Sequence, residues 1–280
     1  MREVSTRQIT ATVARLCQEA NFYLGEEELH ALQEAERKEA SPLGKEALRS
    51  IIENARLAAA ECLPLCQDTG VTAIFIELGQ EVHVHGNLEK AVNNGVRQGY
   101  KKGYLRQSMV AHPFTRRLNT GDNTPAVIHI ETVPGDKLKL TVLPKGSGSE
   151  NMSQLKMLSP GDGRQGIIDF VIQTVSQAGS NPCPPIIVGL GIGGPAEKAM
   201  LIAKKTLLRP LGQPHPDAEV AELEKELLAR INALGIGPEG FGGTITALAV
   251  HAEVFPCHIA SLPVAVNIQC HSARHKEAVL

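Results

Sequence analysis

The spacing of apolar residues changes near Pro64, and this change constrains how the chain folds. Before Pro64, apolar residues recur at helical spacing in three segments. Ser5 opens a capping-box sequence, residues 26–40 predict a charged surface helix, and Ser41-Pro42 is a typical N-cap and first-turn pair. After Pro64, short aliphatic runs alternate with helical segments, which indicates strands and helices in one structure.

The segment after Pro64 contains signals for both hairpins and crossovers. Residues 126–133 and 137–143 alternate with period two around Pro134-Gly-Asp136, which predicts a hairpin. We therefore predict an α+β fold, with N-terminal helices followed by mixed, largely antiparallel sheets flanked by helices. We expect a single domain over residues 1–280, with a helical part (1–63), a mixed part (64–280) and no separate C-terminal domain.

Composition excludes several classes of protein. The 280 residues include 28 Lys and Arg against 30 Asp and Glu, and this net charge of −2 argues against nucleic-acid binding. Three Tyr, six Phe and no Trp predict a core of aliphatic and alanine side chains and argue against base-stacking surfaces. No apolar run is long enough for a membrane span and the N-terminus lacks a signal-peptide pattern, so we expect a cytoplasmic protein.

Two glycine patterns resemble dinucleotide-binding loops. Gly189, Gly191 and Gly194 have the G-x-G-x-x-G spacing between a strand and a helix. The acidic residue that should end a second strand about twenty residues later is missing, because that stretch is a proline-containing loop. The same pattern over residues 235–240 follows a helix and not a strand. We therefore interpret both as places where the backbone approaches another group closely.

The six cysteines fall into different local settings. Cys17 and Cys62 lie on apolar helical stripes, which is typical of packing thiols. Cys66, Cys183 and Cys270 lie in irregular segments rich in Gly, Pro and polar residues, where backbone amides are available to a cluster sulfur. The spacings between these three, 117 and 87 residues, are far longer than the short pair spacing usual for zinc. From spacing alone, a shared three-cysteine site and three unrelated loop thiols both remain open.

Six motifs in one order give the chain a family resemblance. It resembles the alpha subunit of class I iron–sulfur fumarate hydratases over nearly all 280 residues, and tartrate dehydratases of the same superfamily share most of the likeness. The motifs are Leu65-Cys-Gln-Asp-Thr-Gly70, Asn119-Thr-Gly-Asp-Asn-Thr-Pro-Ala126, Lys145-Gly-Ser-Gly-Ser149, Asn181-Pro-Cys-Pro-Pro185, Gly240-Phe-Gly-Gly243 and Asn267-Ile-Gln-Cys-His271.

The resemblance implies a [4Fe-4S] cluster held by Cys66, Cys183 and Cys270. Three thiolates bind three irons and leave the fourth without a protein ligand. The resemblance implies that this iron would act as a Lewis acid on the carboxylate and hydroxyl of the substrate, so the cluster would not serve electron transfer. The implied reaction is the reversible hydration of fumarate to L-malate.

The resemblance also implies roles for five further residues. Gln67 contacts substrate, and Asp68 contacts it as a candidate for proton handling. Arg106 matches an arginine that binds a substrate carboxylate, for which a guanidinium fork is suited. Gly148 matches a backbone contact to substrate, and His258 matches a histidine that reaches the site of a neighbouring protomer.

The proposed catalytic base of the family lies in a second segment, which follows as a C-terminal domain in single-chain members. This sequence ends at Leu280, so we expect a separate beta subunit to carry that base and further carboxylate-binding residues. The resemblance implies an assembly of two alpha and two beta chains, with self-association through alpha. L-tartrate dehydratase is the alternative within the same class.

Two alternatives come from other classes. A non-catalytic electron-transfer or metal-binding subunit would need a fourth ligand, for which Cys257, His258 and His271 are the local candidates. A zinc protein would use His83 and His85, which alternation along a strand places on one face. Two histidines without a third ligand are more typical of an exposed strand.

Overall fold

The structure is a computed structural model, and it describes residues 2–280. Helices and strands are mixed along the chain, which confirms the predicted α+β class. The helices are α1 (Thr6–Phe22), α2 (Glu26–Lys38), α3 (Pro42–Glu61), α4 (Leu88–Lys102), α5 (Ser147–Glu150), α6 (Gly163–Ala178), α7 (Ala196–Lys205) and α8 (Ala218–Asn232). The strands are β1 (Arg2–Ser5), β2 (Val71–Gly79), β3 (Val82–His85), β4 (Val127–Val133), β5 (Leu138–Lys145), β6 (Gln154–Leu158), β7 (Ile186–Gly193), β8 (Ala247–Phe255), β9 (Leu262–Gln269) and β10 (Lys276–Val279).

The chain divides into two compact units. Unit 1 contains residues 2–25, 55–147 and 274–280, and unit 2 contains residues 26–54 and 148–273. Unit 1 has a four-stranded sheet in the order β10-β5-β2-β4, together with the parallel pair β1-β3. Its core consists mainly of Ile, Leu, Val and Ala side chains from α1, α4 and the sheet, as the scarcity of aromatic residues predicts.

Helix α1 of unit 1 begins as its sequence predicts. The Gln8 amide donates to the Ser5 hydroxyl, while the Ser5 amide donates to the Gln8 side chain, so both partners of the capping box are present. Helix α4 is likewise capped by Asn87, whose side chain accepts from the Lys90 amide. Among residues 2–280, no helix combines the length and apolar character needed to cross a membrane.

Unit 2 has a four-stranded sheet in the order β6-β9-β7-β8. Helices α6 and α8 contribute to a large aliphatic core with one face of this sheet, through side chains such as Val188 and Leu190 of β7. Helix α7 packs on the sheet through alanines, including contact of Ala199 and Ala203 with Ala265 of β9. Strand β7 is therefore buried along its whole length.

The first glycine pattern allows α7 to lie close to β7. Gly189 and Gly191 stand inside the strand, where alternation turns their Cα hydrogens away from the Val188 and Leu190 face. A Cβ atom on Gly189 would lie 2.1 Å from the Ala203 carbonyl oxygen, and one on Gly191 would lie 2.1 Å from that of Ala199. These glycines therefore serve helix–sheet packing, as expected from the missing acidic residue.

The predicted hairpin around Pro134-Gly-Asp136 is wrong. Strand β2 lies between β4 and β5, and it pairs with β4 in parallel and with β5 in antiparallel orientation. The two flanking segments do form strands, so the local alternation was interpreted correctly. Strands that follow each other in sequence and are joined by a short turn usually pair. Here β2 lies between β4 and β5, so the connection from β4 to β5 passes over β2.

Glu39 is a buried carboxylate that organises a distant loop within unit 2. Its side chain accepts hydrogen bonds from the amides of Ser41, Thr244 and Ile245 and from the Thr244 hydroxyl, at 2.8–3.2 Å. Burial raises the pKa of this carboxyl, but the hydrogen bonds outweigh burial and the net pKa is lowered. The ionised form therefore stabilises the segment that follows Gly243.

We expect the substitution Gly191→Ala to destabilise the chain by about 3 kcal/mol, because an added Cβ must push α7 away from β7. Urea denaturation of the variant and of the wild type measures the loss. Gly161→Ala is the matched control, because the one atom near its added Cβ is the Ser159 hydroxyl oxygen at 3.7 Å. Equal stability of the two variants would contradict the packing role.

We expect Glu39→Gln to lower the free energy of unfolding by about 2 kcal/mol at pH 7, because amide–carboxylate hydrogen bonds are lost. The folded pKa lies below the reference value of 4.5, so the wild-type advantage is present above that pH and shrinks as the pH falls through the folded pKa. Urea denaturation at pH 7 and at a series of lower pH values measures both. Glu36→Gln, which removes a surface ion pair with Arg49, should cost less than about 1 kcal/mol.

Candidate functional site

A short irregular loop of unit 1 carries Cys66, Gln67 and Asp68. It follows the end of α3 and is anchored by the buried Leu65, whose amide donates to the Asn21 carbonyl oxygen at 2.8 Å. Cys66 is half-buried, and the Asp68 amide lies 3.4 Å from its sulfur as a hydrogen-bond donor. A thiolate at this position would therefore receive a backbone amide, as cluster sulfurs commonly do.

Backbone amides fix the carboxylate of Asp68. One oxygen, Oδ1, accepts from the Gly70 amide at 3.0 Å, and Oδ2 accepts from the Ser147 amide at 2.8 Å. Gly70 has a φ of +76°, and a Cβ there would lie 2.7 Å from the Lys145 backbone, so the turn requires glycine. The carboxylate is thus held by main chain from both sides.

Arg106 and Gln67 form a pair at the same loop. The Arg106 Nη1 donates to Gln67 Oε1 at 2.7 Å, and the Thr69 hydroxyl donates to the Arg106 carbonyl oxygen at 2.7 Å. The Arg106 side chain is exposed, and none of the ion pairs among residues 2–280 includes it. Unit 1 therefore brings together four of the residues predicted from sequence, namely Cys66, Gln67, Asp68 and Arg106.

Arg274 is a buried cation in unit 1 that sequence reasoning missed. Its side chain is 2% exposed, and its Nη2 donates to the Asp68 carbonyl oxygen at 2.6 Å while Nη1 donates to Asn21 Oδ1 at 3.2 Å. Its Nε has no hydrogen-bond partner. The available signal was its place four residues after Cys270, just beyond the last cysteine motif.

The loop around Cys183 in unit 2 is held by the residue that follows Cys270. The Cys183 carbonyl oxygen lies 3.0 Å from His271 Nδ1 and 3.4 Å from the His271 amide nitrogen, and both contacts are hydrogen bonds. Cys183 is exposed with a φ of +54°, whereas Cys270 is half-buried directly after β9. Unit 2 therefore brings the segments of these two predicted ligands together.

Glu239 is a second residue that sequence reasoning missed. It lies in the second glycine pattern, has a φ of +53°, and its amide donates to the Pro184 carbonyl oxygen at 2.7 Å. Its Oε1 lies 3.0 Å from His271 Nδ1. The signal was the pattern itself, whose glycines at 237 and 240 also take positive φ and shape this turn.

Gly148 and His258 lie elsewhere in unit 2. A Cβ on Gly148 would lie 3.1 Å from the Asn181 carbonyl oxygen, so the residue is close to the loop that contains Cys183. His258 is in the exposed segment between β8 and β9, and its hydrogen bonds are local, to Ala260 and Ser261. The Cys257 thiol in the same segment donates to the Ser261 carbonyl oxygen.

The two cysteines interpreted as packing thiols behave differently. Cys17 is fully buried in the core of unit 1, and burial raises the pKa of its thiol to about 12, which confirms the interpretation. Cys62 is exposed and lies 3.4 Å from the Tyr23 hydroxyl, so its interpretation was wrong. Helix α3 ends at Glu61, and Cys62 takes a φ of +52° that turns it off the apolar stripe.

No group of three or more His, Cys, Asp or Glu side chains that could hold a metal ion occurs among residues 2–280. The rings of His83 and His85 lie edge to face with their centroids 4.8 Å apart, and Glu3 lies 3.2 Å from His85. Thiolates that bind separate irons of one cluster need not approach one another as ligands of a single ion do. The assignment of these cysteines as ligands therefore rests on the residue types and the irregular backbone of the loops that carry them.

Comparison with known proteins gives matches over nearly the whole chain. The model of the family described as fumarate hydratase (fumerase) matches residues 10–279. A protein of Methanocaldococcus jannaschii, provisionally named L(+)-tartrate dehydratase subunit alpha, is 46% identical over 273 residues, or 95% of each chain. The L(+)-tartrate dehydratase subunit alpha of Escherichia coli strain UTI89 is 31% identical over 98% of this chain and 91% of its own length. The protein of the same name from Shigella sonnei is 30% identical over the same shares.

Proposed function

The chain belongs to the fumarate hydratase family, and from that premise we propose that it is the α subunit of a two-subunit hydro-lyase acting on a small dicarboxylate. The reaction proposed first is the reversible hydration of fumarate to L-malate, because the matching family is described as fumarate hydratase. The observation that carries the proposal is the group in unit 1: an exposed Arg106 paired with Gln67, beside the Asp68 carboxylate that two backbone amides hold.

L(+)-tartrate is the second candidate substrate. The names of the relatives in Methanocaldococcus jannaschii and Escherichia coli favour it. Tartrate, malate and fumarate are all small dianions, so a guanidinium and backbone amides suit each of them. The choice between them depends on contacts to the second hydroxyl of tartrate, and a direct comparison of substrates decides it.

We assign binding of one substrate carboxylate to Arg106. A guanidinium has five N–H donors, of which Gln67 takes one. The others are available for the fork-like pairing that carboxylates favour, and no carboxylate of residues 2–280 competes as an ion-pair partner. Gln67 would hold the guanidinium in place and contact the substrate itself.

We assign proton handling to Asp68. Each carboxylate oxygen has two lone pairs, and the Gly70 and Ser147 amides take one on each oxygen. The remaining lone pairs are available to take up or deliver a proton at the reacting carbon or hydroxyl. Because the main chain fixes both oxygens, little reorganisation is needed at the moment of transfer. Gly148 would add a backbone contact to substrate, and His258 would reach the site of a neighbouring protomer.

Cys66, Cys183 and Cys270 are the proposed ligands of a [4Fe-4S] cluster. The residues fit such a group: each thiol is exposed or half-buried, lies outside regular helix and strand, and Cys66 has an amide donor on its sulfur. When bound, a cluster with one iron free of protein ligands supplies Lewis-acid activation of the substrate hydroxyl. The chain would hold the cluster through Cys183 on a loop that His271 stabilises.

A separate β subunit is the proposed partner. The matched relatives are named as alpha subunits, and this naming supports a second chain in the enzyme. The β subunit would supply the catalytic base and further cationic side chains for the substrate. Two α and two β chains, associating through α, form the proposed assembly.

We expect Cys66→Ser, Cys183→Ser and Cys270→Ser each to abolish cluster binding, because each removes one proposed thiolate. Iron and sulfide content per chain after anaerobic reconstitution measures the loss. Cys62→Ser is the matched control, since this thiol is also exposed but bonds only to Tyr23. Cys17→Ser should also retain iron. Iron retained in any of the first three variants, or lost in Cys62→Ser, would contradict the ligand set.

We expect the purified, reconstituted α chain to show little or no turnover alone and to become active when co-expressed with β. Turnover of fumarate, L-malate and L(+)-tartrate by the α–β enzyme, followed in the same buffer, ranks the two candidate substrates. Turnover by α alone at the rate of the pair would contradict the two-subunit proposal. Activity with none of the three dicarboxylates would contradict the proposed function.

A further inference from the structure

The motif Asn119–Ala126 has no role in the proposed function, yet it contains the most buried polar side chain near Arg106. Asn123 is completely buried within unit 1. Its Oδ1 accepts from the Ser108 amide at 2.7 Å, and its Nδ2 donates to the Gly70 carbonyl oxygen at 3.1 Å. One side chain therefore joins the segment that carries Arg106 to the turn that follows Asp68.

Three consecutive residues of the Arg106 segment have a fixed backbone. The Thr69 hydroxyl donates to the Arg106 carbonyl oxygen, the Asn119 Nδ2 donates to the Gln107 carbonyl oxygen at 2.8 Å, and Asn123 accepts from the Ser108 amide. The segment belongs to no helix or strand of the fold apart from an isolated bridge at Val110. Side chains thus provide the hydrogen bonds that regular structure would otherwise provide.

The backbone of the motif is also adapted to this role. Asn123 has a φ of +58°, a conformation that Asn adopts more readily than other residues with a Cβ. Asp122 precedes it and accepts from the Thr124 amide and from the Arg97 side chain of α4, at 3.0 Å and 2.8 Å. The turn is therefore anchored to a helix, and it presents the Asn123 side chain inward from a rigid base.

We propose that Asn123, supported by Asn119, is a positioning residue that sets the direction of the Arg106 guanidinium relative to Gln67 and Asp68. The inference rests on the proposed function, because it assigns the motif to substrate-carboxylate binding. Asn123 does not touch the substrate in this proposal. It acts through the backbone on both sides of the Arg106–Gln67 pair.

The test uses Asn123→Gly in the cluster-loaded α–β enzyme. Glycine accepts the positive φ without strain, so the variant removes the two side-chain hydrogen bonds and keeps the turn. We expect KM for the dicarboxylate to rise about tenfold or more while kcat changes less, since a misdirected Arg106 loses binding common to ground and transition states. In an Arg106→Ala background the same change should add little, because the two residues act as one unit.

Asn93→Ala is the matched control. Its side chain accepts from the Ala126 amide and donates to the Glu89 carbonyl oxygen, so it holds the far end of the same motif without reaching Arg106 or Gly70. We expect its KM to stay within about twofold of the wild type. Asn119→Ala, at an exposed residue, should raise KM less than Asn123→Gly and serves if the glycine variant does not fold.

Hydrogen exchange separates this inference from the proposed function. We expect the Ser108 amide to exchange faster in Asn123→Gly than in the wild type, and to be unchanged in Asn93→Ala. An unchanged Ser108 amide, an unchanged KM, or an undiminished effect in the Arg106→Ala background would each overturn the positioning role. If exchange changes as expected but no dicarboxylate is turned over by the wild type, the proposed function fails and the structural coupling remains.

Discussion

The turn at Gly70 determines where the candidate catalytic groups of unit 1 lie. Its amide holds the Asp68 carboxylate, and its carbonyl oxygen accepts from Asn123. The buried Tyr100 hydroxyl adds a hydrogen bond to the neighbouring Thr69 carbonyl oxygen at 2.6 Å. Burial raises the pKa of Tyr100, so this hydroxyl remains a neutral donor over the whole physiological range. The positive φ of Gly70 lies outside the extended conformation of a strand.

Unit 2 fixes its irregular segments by the same physical means. Glu39 binds the amides of Thr244 and Ile245, and His271 binds the carbonyl oxygen of Cys183. In each case a polar side chain provides hydrogen-bond partners for backbone groups of a loop that no neighbouring strand pairs with. Removing such a side chain leaves backbone groups without partners, which costs more than the bond itself contributes. Loops can therefore hold reactive residues as firmly as regular elements do.

Local sequence signals were sufficient for most elements of this fold. The cap at Ser5 marks a helix that does begin there, and apolar alternation marks β4 and β5. Signals that depend on pairing were not sufficient, because β2 inserts between β4 and β5 and no local pattern records this. The short strands β1, β6 and β10 were missed for the same reason, since each is defined by its partner strand.

In the candidate site too, residues with a local sequence signal were predicted, and residues that act through long-range contacts were missed. Cysteines in irregular loops were recognisable because their type and setting are both local properties. Arg274, Glu239 and Asn123 were not recognisable as supports, because each acts on residues far away in the sequence. Asn123 joins Gly70 to Ser108, and Arg274 reaches Asp68 across most of the chain. Such contacts exist only once the fold is formed.

The charge distribution is consistent with a small anionic substrate. The net charge of −2 gives no long-range attraction for a polyanion, so affinity for the proposed dianionic substrate would come from a few fixed groups. The Arg106 side chain is exposed, but hydrogen bonds from other side chains fix the backbone of residues 106, 107 and 108. Two backbone amides hold the Asp68 carboxylate. Fixed groups lose little conformational freedom on binding, which raises the affinity that each contact contributes. A few rigid contacts can thus bind a small dianion without a large excess of basic residues in the chain.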